Sequence, residues 1–352
     1  MRDFFYRGGT ARIVFGNGAS ARIGTEIEAL GCRRPFILST SRGASEAEAI
    51  AGRLGGRVAG IFSGAVMHTP VEVSDHAAAL VVEAAGDCLV SLGGGSTIGL
   101  GKAVSWRTGL PQLAVPTTYA GSEVTPILGQ TENGAKTTLR NPKILPRTVI
   151  YDPELTLDLP VTISSLSGLN AIAHAVEALY AQDRNPISSL MAAEGLRAMR
   201  AALPAVVAEP CNLAARGEAL YGAWLCGTVL GTVGMALHHK LGHVLGGSFG
   251  LPHAETHAVM LPHTAGFNAA AVPGLLAPLT EIFAGAPGPA LFGFAGSLGA
   301  PRSLRQLGLK GGDLDRVADI ASASPYPNPR PLSRAAIRNL LQDAWDGRAP
   351  SQ

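Results

Sequence analysis

The chain's 352 residues are 47% hydrophobic and 15% charged, enough apolar material for a large core divided over two domains. A net charge of +2 without a basic run gives no reason to expect nucleic acid as a partner. No apolar run reaches the roughly 18–20 residues that span a bilayer, and MRDFFYRGGTARIVFG lacks the apolar stretch of a secretory signal, so the expectation is a cytoplasmic protein outside the membrane. Cys32, Cys88, Cys211 and Cys226 are far apart and form no CxxC pair, which argues for buried thiols and against a zinc knot or a disulfide framework.

In chain order, 12–15, 35–39, 58–62, 88–92, 112–116 and 148–151 are short apolar runs that read as strands. Helical patterns occupy 20–30, 45–54, 71–85 and 97–106 between them, and such alternation implies a mostly parallel sheet covered by helices. Beyond residue 160 the β-branched runs disappear, and 164–180, 188–202, 213–237 and 332–344 predict an all-helical second half. Asp152-Pro153-Glu154 and Asp158-Leu159-Pro160 mark the junction, because proline disfavours helix in the residue before it. The expected domains are 1–155 and 156–352.

The strand at 88–92 runs into Gly93-Gly94-Gly95-Ser96 and then into a helical stretch containing Lys102. Glycines let the backbone approach phosphate oxygens, and the first turn of the helix offers free N–H groups and a favourable dipole. Taken alone, the glycines could equally make a tight turn. A second loop, Pro116-Thr117-Thr118-Tyr119-Ala120-Gly121-Ser122, also follows a predicted strand, where its hydroxyls would line the crevice in which open sheets bind ligands. This is not the GxGxxG fingerprint of the ordinary dinucleotide fold.

Six of the nine histidines fall within 26 residues, in His238-His239-Lys240-Leu241-Gly242-His243, Pro252-His253-Ala254-Glu255-Thr256-His257 and Pro262-His263. His239/His243 and His253/His257 are each four apart, as are Asn170 and His174 upstream, so each pair shares a helix face. A nitrogen and oxygen ligand constellation is possible. A lone histidine on an apolar helix is more often a hydrogen-bonded core residue, which is the expectation for His238, His257 and His263.

GGGST with Lys102, PTTYAGSEVT, the Asn170/His174 pair and HHKLGHVLGGSFGLPHAETH resemble, in order and spacing, the iron-containing (group III) alcohol dehydrogenase superfamily, and the last segment looks most like maleylacetate reductases. The resemblance covers nearly the whole chain. It implies an α/β N-terminal dinucleotide-binding domain and an all-α C-terminal domain (the dehydroquinate synthase-like fold), a cleft holding NADH or NADPH, and a homodimer. By that similarity Gly94, Gly95 and Ser96 hold the pyrophosphate, Thr117 and Thr118 lie along the cofactor, and Lys136 reaches its ribose. Thr69 takes the place of the family's usual Asn.

Metal-dependent members bind their ion through one Asp and three His, which fall here on Asn170, His174, His239 and His253. An amide oxygen carries no charge to offset a hard divalent ion, so the expectation is a metal-free site, although three imidazoles could still hold Zn²⁺. Thr40, with Arg42 two residues on, stands where relatives often carry an Asp that binds the adenosine ribose, so discrimination against NADPH should be weak. Gly99 replaces an Asp frequent after GGGS.

The implied reaction adds hydride to the enone double bond of maleylacetate and protonates the resulting enolate to 3-oxoadipate, in the degradation of aromatic compounds. The enzyme must hold a small dianion, stabilise the ketone oxygen and deliver a proton. His243 is the leading proton donor or oxyanion stabiliser. His174, His239, His253 and Asn170 would bind substrate oxygens, and a bound dianion would raise imidazole pKa values. Lys240 is a further carboxylate contact, and Tyr326 and Arg330, in the stiff turn Pro325-Tyr326-Pro327-Asn328-Pro329-Arg330, are candidates to touch substrate. Two alternatives stand beside this reading: a metal-dependent alcohol or polyol dehydrogenase of the same superfamily, with Fe or Zn, and a non-catalytic NAD-binding sensor.

Overall fold

The computed structural model describes residues 8–9, 11–132 and 135–351, and for Ala135 and Lys136 it describes the backbone alone. Gly8–Leu159 form one compact unit, and the chain from Pro160 on forms another.

In the first unit the order is β1 (Arg12–Phe15), α1 (Ile23–Ala29), β2 (Pro35–Leu38), α2 (Ala44–Leu54), β3 (Gly60–Phe62), α3 (Val71–Glu83), β4 (Cys88–Gly93), α4 (Gly95–Thr108), β5 (Gln112–Pro116), β6 (Ile127–Glu132), β7 (Ala135–Arg140) and β8 (Thr148–Tyr151). Six strands form a parallel sheet in the order β1-β8-β5-β4-β2-β3, while β6 and β7 pair as a separate antiparallel hairpin. Ile37 and Val90 pack with Ile23, Ile27 and Ile50 of α1 and α2 on one face. Phe36, Leu38 and Leu89 pack with Ala77 and Val81 of α3 and Leu100 and Val104 of α4 on the other. Continuous apolar strands such as PFIL are what two covered faces require.

From β2 the chain moves outward to the edge strand β3, and from β4 it moves the opposite way to β5. The carboxyl ends of β2 and β4 therefore flank a topological switch point, the place where open α/β sheets bind ligands. Thr40 follows the first of these strands, and Gly93–Ser96 end the second.

The second unit contains α5 (Val161–Tyr180), α6 (Pro186–Ala208), α7 (Leu213–Thr232), α8 (Leu237–Phe249), α9 (His253–Ala269), α10 (Ala277–Phe283), α11 (Pro287–Ser297), α12 (Leu314–Ser322) and α13 (Arg334–Asp346), and no strand among the described residues. Leu237, Leu241, Val244 and Leu245 of α8 form a core with Val259 and Met260 of α9, Leu314 and Val317 of α12, and Ile337 and Leu341 of α13. No single helix among the described residues is long and apolar enough to cross a membrane.

Three expectations are corrected. The helix expected at 213–237 is two helices meeting at 94°, because Gly234 N–H donates to both carboxylate oxygens of Asp183, and Ala236 N–H and His238 N–H donate to Glu177. These tertiary acceptors replace the i−4 carbonyls that a continuous helix would supply. The β6/β7 hairpin was not foreseen. Of the four thiols, Cys32, Cys88 and Cys226 are buried, but Cys211 is exposed in the turn between α6 and α7.

Candidate active site

In the first unit the candidate nucleotide contacts gather around the N-terminus of α4. Gly93 has φ +146, a conformation that L side chains rarely adopt, and a Cβ there would also lie 2.5 Å from Thr97 Oγ1. A Cβ on Gly94 would lie 2.7 Å from Thr118 Cγ2, so the glycine turn and the Thr117–Thr118 loop are in contact, and Thr117 N–H donates to Gly93 O at 3.2 Å. Gly95 is exposed, and Ser96 stands second in the helix with its first-turn N–H groups directed outward. Glycines that side chains would block, at the end of a strand and the start of a 14-residue helix, fit a diphosphate.

Thr40 caps a 3₁₀ turn, its Oγ1 accepting from Gly43 N–H at 3.3 Å. Thr69 lies before a proline with φ +45, a strained backbone for a β-branched residue. Its Oγ1 would lie 2.6 Å from a Cβ on Gly99. Two of the departures from the family pattern, Thr69 and Gly99, therefore pack against each other, and a larger residue at 99 would displace Thr69. Lys136 lies on β7, and its side chain is outside the described residues.

In the second unit α5, α8 and α9 bring the histidines together. Asn170, His174 and Glu177 share one face of α5 and are buried. His174 and His239 rings stack with centroids 5.1 Å apart, and His253 and His257 rings lie 4.4 Å apart. His243, one turn beyond His239 on α8, is exposed, with its ring centroid 6.4 Å from that of His239. Lys240 has its Nζ 5.6 Å over the Tyr326 ring. Arg330 is engaged by Phe267, donating to its carbonyl at 3.2 Å and lying over its ring at 4.1 Å.

Hydrogen-bond partners assign the tautomers. Glu177 Oε2 accepts from His239 Nδ1–H at 2.6 Å, and His239 Nε2 has no hydrogen-bond partner. Thr264 Oγ1 commits its proton to Met260 O at 2.9 Å, so His238 Nδ1–H is the donor in their 3.0 Å contact. His238 Nε2 then accepts from His257 Nδ1–H at 2.8 Å, and His257 Nε2 is left bare. His239 Nε2, His257 Nε2, His174 Nδ1 and Asn170 Oδ1 are all buried without a hydrogen-bond partner. Such atoms in a dry interior are costly unless a ligand satisfies them.

Burial, reinforced by the neighbouring imidazoles, holds His174 and His257 well below the usual histidine range, and burial brings His238 down to about 3. For Glu177 burial pushes upward, but the His239 hydrogen bond, the charges of His239 and His238 and the Ala236 N–H together hold it below the usual carboxylate range. Burial thus disfavours the charged form of His174, His238 and His257 beside one buried carboxylate.

The four positions that the resemblance assigns to a metal have suitable atoms but an unsuitable arrangement. The rings of His174 and His239 lie with centroids 5.1 Å apart and planes 30° apart. Among the described residues the group of three His, Cys, Asp or Glu ligand atoms within 4.8 Å of one another is Cys32, Asp87 and Cys88, in the other unit. As arranged, these residues do not fit a tetrahedral ion.

Three members of the buried cluster were not among the candidate site residues. Glu177 is the lone charged residue of a 20-residue apolar helix, a signal that was available. His238 and His257 are buried as expected of core residues, yet both belong to the cluster. His263 lies apart from it, its ring 6.3 Å from that of Phe292.

A glycine cradle at a switch point and a cluster of buried imidazoles define a nucleotide-dependent oxidoreductase, and comparison with known proteins agrees. The model of iron-containing alcohol dehydrogenases matches residues 10–153, and that of the C-terminal part of the Fe-containing alcohol dehydrogenase family matches 164–345. The chain belongs to the iron-containing alcohol dehydrogenase family. Within it, the chain is 61% identical to a maleylacetate reductase from a Rhizobium strain, over 99% of this chain and 100% of the relative. It is 51% identical to a maleylacetate reductase from Burkholderia cepacia, over 100% of both. The crystal structure of maleylacetate reductase from Agrobacterium tumefaciens superimposes with a TM-score of 0.97 at 60% identity, covering 99% of this chain and 100% of the other.

Proposed function

We propose that the chain reduces the enone double bond of maleylacetate to give 3-oxoadipate, with NADH or NADPH as reductant and no metal ion. Its units divide the work: the first is the nucleotide-binding domain, and the second handles the dianion and its proton. Full-length identity to maleylacetate reductases supports the substrate, and the buried amide of Asn170 beside stacked His174 and His239 supports a site that works without an ion.

When bound, the reduced nicotinamide supplies a hydride to the alkene carbon β to the ketone. The residues of the second unit do the rest. A bound carboxylate brings counter-charge that favours a protonated imidazole beside it, and His174, His239 and His253 bind the substrate oxygens. Asn170 donates through its amide without titrating. Negative charge developing on the ketone oxygen is stabilised by these donors, which are already in place. His243, exposed and able to exchange protons with water, protonates the α-carbon of the enolate. Tyr326 and Lys240 form a supporting wall, with Lys240 held over the Tyr326 ring.

The same reading places the chain in the cytoplasm, as a homodimer, in the degradation of aromatic compounds. Assay of maleylacetate-dependent oxidation of NADH and NADPH, with identification of 3-oxoadipate, tests the proposal. Oxidation of simple alcohols that vanishes with chelator and returns with Fe²⁺ or Zn²⁺ would instead support a metal-dependent dehydrogenase.

A further inference from the structure

Lys102 takes no part in the chemistry above, yet it is among the largest fully buried side chains of the protein. It lies in the middle of α4, and its Nζ donates to Ser122 O at 2.6 Å, Thr125 Oγ1 at 2.9 Å and Ile127 O at 2.9 Å, with Ser122 Oγ at 3.4 Å. All four acceptors belong to the stretch between β5 and the start of β6. A methionine would fill the same volume without removing an ammonium from water, so core filling does not account for a lysine here. Burial brings Lys102 down to about 7, opposed by Glu123, buried in the same stretch, whose Oε1 accepts from Tyr151 O–H at 2.8 Å.

The stretch that Lys102 holds connects the candidate nucleotide contacts. Upstream it runs into Thr117 and Thr118, which touch the Gly93–Gly94 turn. Downstream it opens the β6/β7 hairpin, whose Thr131 N–H donates to Thr69 O at 3.4 Å. The glycine turn itself begins the helix that carries Lys102. One ammonium thus ties the helix to both sides of the cradle.

We propose that Lys102 is a positioning residue for the nucleotide: by holding residues 122–127 against α4 it keeps the Thr117–Thr118 loop at the distance from the glycine turn at which both close on one diphosphate. The inference rests on the nucleotide reading above. It predicts that affinity for the nucleotide depends on a residue that does not touch it, while the chemical step does not.

The test pairs Lys102→Met with Glu123→Gln, which removes both charges together and leaves an acceptor for Tyr151. Dissociation constants for NADH and NADPH are measured by nucleotide fluorescence alongside thermal unfolding and kinetics. The expected result is a cooperatively folded variant whose Kd and KM for the nucleotide rise by about tenfold, with kcat at saturation within about twofold. A folded variant with lower thermal stability and unchanged Kd means that Lys102 is only structural, and overturns the inference. If the double variant does not fold, Thr125→Val removes one acceptor at constant shape: a several-fold rise in Kd supports the proposal, and an unchanged Kd overturns it. Failure of the unaltered chain to bind either nucleotide overturns the nucleotide reading itself, and the role of Lys102 with it.

Discussion

Glu177 Oε2 lies 2.6 Å from His239 Nδ1, joining α5 to the first turn of α8 across 62 positions of sequence. The same carboxylate takes the N–H groups of Ala236 at 2.9 Å and His238 at 2.7 Å. One side chain therefore ends the irregular segment after α7, satisfies the start of α8 where the helix dipole favours a negative charge, and sets the tautomer of His239. The bare Nε2 of His239 is a consequence of that arrangement.

Glu177→Gln places an amide nitrogen or oxygen where three donors converge, and one of the contacts becomes donor against donor. Leaving one of these buried donors unsatisfied should cost roughly 1–3 kcal/mol of stability. Disturbance of the His239 tautomer should lower kcat/KM by roughly 10- to 100-fold. Denaturant unfolding and steady-state kinetics on the same preparation check both, and a variant with wild-type kcat/KM would remove Glu177 from the site.

His243 is exposed and sits at the outer edge of the cluster. His243→Gln keeps a polar side chain but removes the transferable proton, and kcat should fall by about 10²- to 10⁴-fold while nucleotide affinity stays unchanged. Stopped-flow measurement of hydride transfer separates the steps. A normal kcat would show that the proton comes from elsewhere.

Gly242 packs against the ring of His257: a Cβ there would lie 2.7 Å from its Cε1 and 2.7 Å from its Nε2. Gly242→Ala should therefore push His257 off the bare-nitrogen position set by Thr264 and His238. Although alanine favours helix by about 1 kcal/mol over glycine, the crowding predicts a net loss of stability and a lower kcat. Unfolding and kinetic measurements check this, and an Ala variant more stable than the parent would contradict the packing described.

Acid stability should reflect the buried histidines. Burial pulls His263 down to about 4 and His238 to about 3, so between those values and about 6.5 the unfolded chain binds protons that the folded chain refuses. Stability is then present above pH ~6.5 and is lost as pH falls, at about 1.4 kcal/mol per pH unit for each such group. His263→Gln removes one proton from that balance and should flatten the decline between pH 6.5 and 4. Urea midpoints measured across this range test the sign and the slope.

The histidine helices were legible because spacing of four is unambiguous once a segment is helical, and the parallel sheet was legible because strands covered on both faces need continuous apolar runs. The break after α7 carried a local signal in the poor helix formers Gly231-Thr232-Val233-Gly234, but the acceptors that open it, Asp183 and Glu177, arrive from over 50 positions away. The β6/β7 hairpin did carry a signal, Asn133-Gly134 in a polar, β-branched context. His238 and His257 were read as hydrogen-bonded core residues, and they are buried, bonded to each other and, through His238, to Thr264. Contacts of Thr40, Lys240 and Arg330 with neighbouring protein groups were equally invisible to spacing alone.

The central claim is that a pocket of imidazoles and an amide performs this reduction without an ion. Elemental analysis of chelator-dialysed protein, made on the same sample whose maleylacetate-dependent NADH oxidation is measured, tests it most directly. The account predicts undiminished turnover with iron, zinc and other transition metals far below one ion per chain. Activity that tracks metal content, lost on dialysis and restored by a stoichiometric ion, would contradict it.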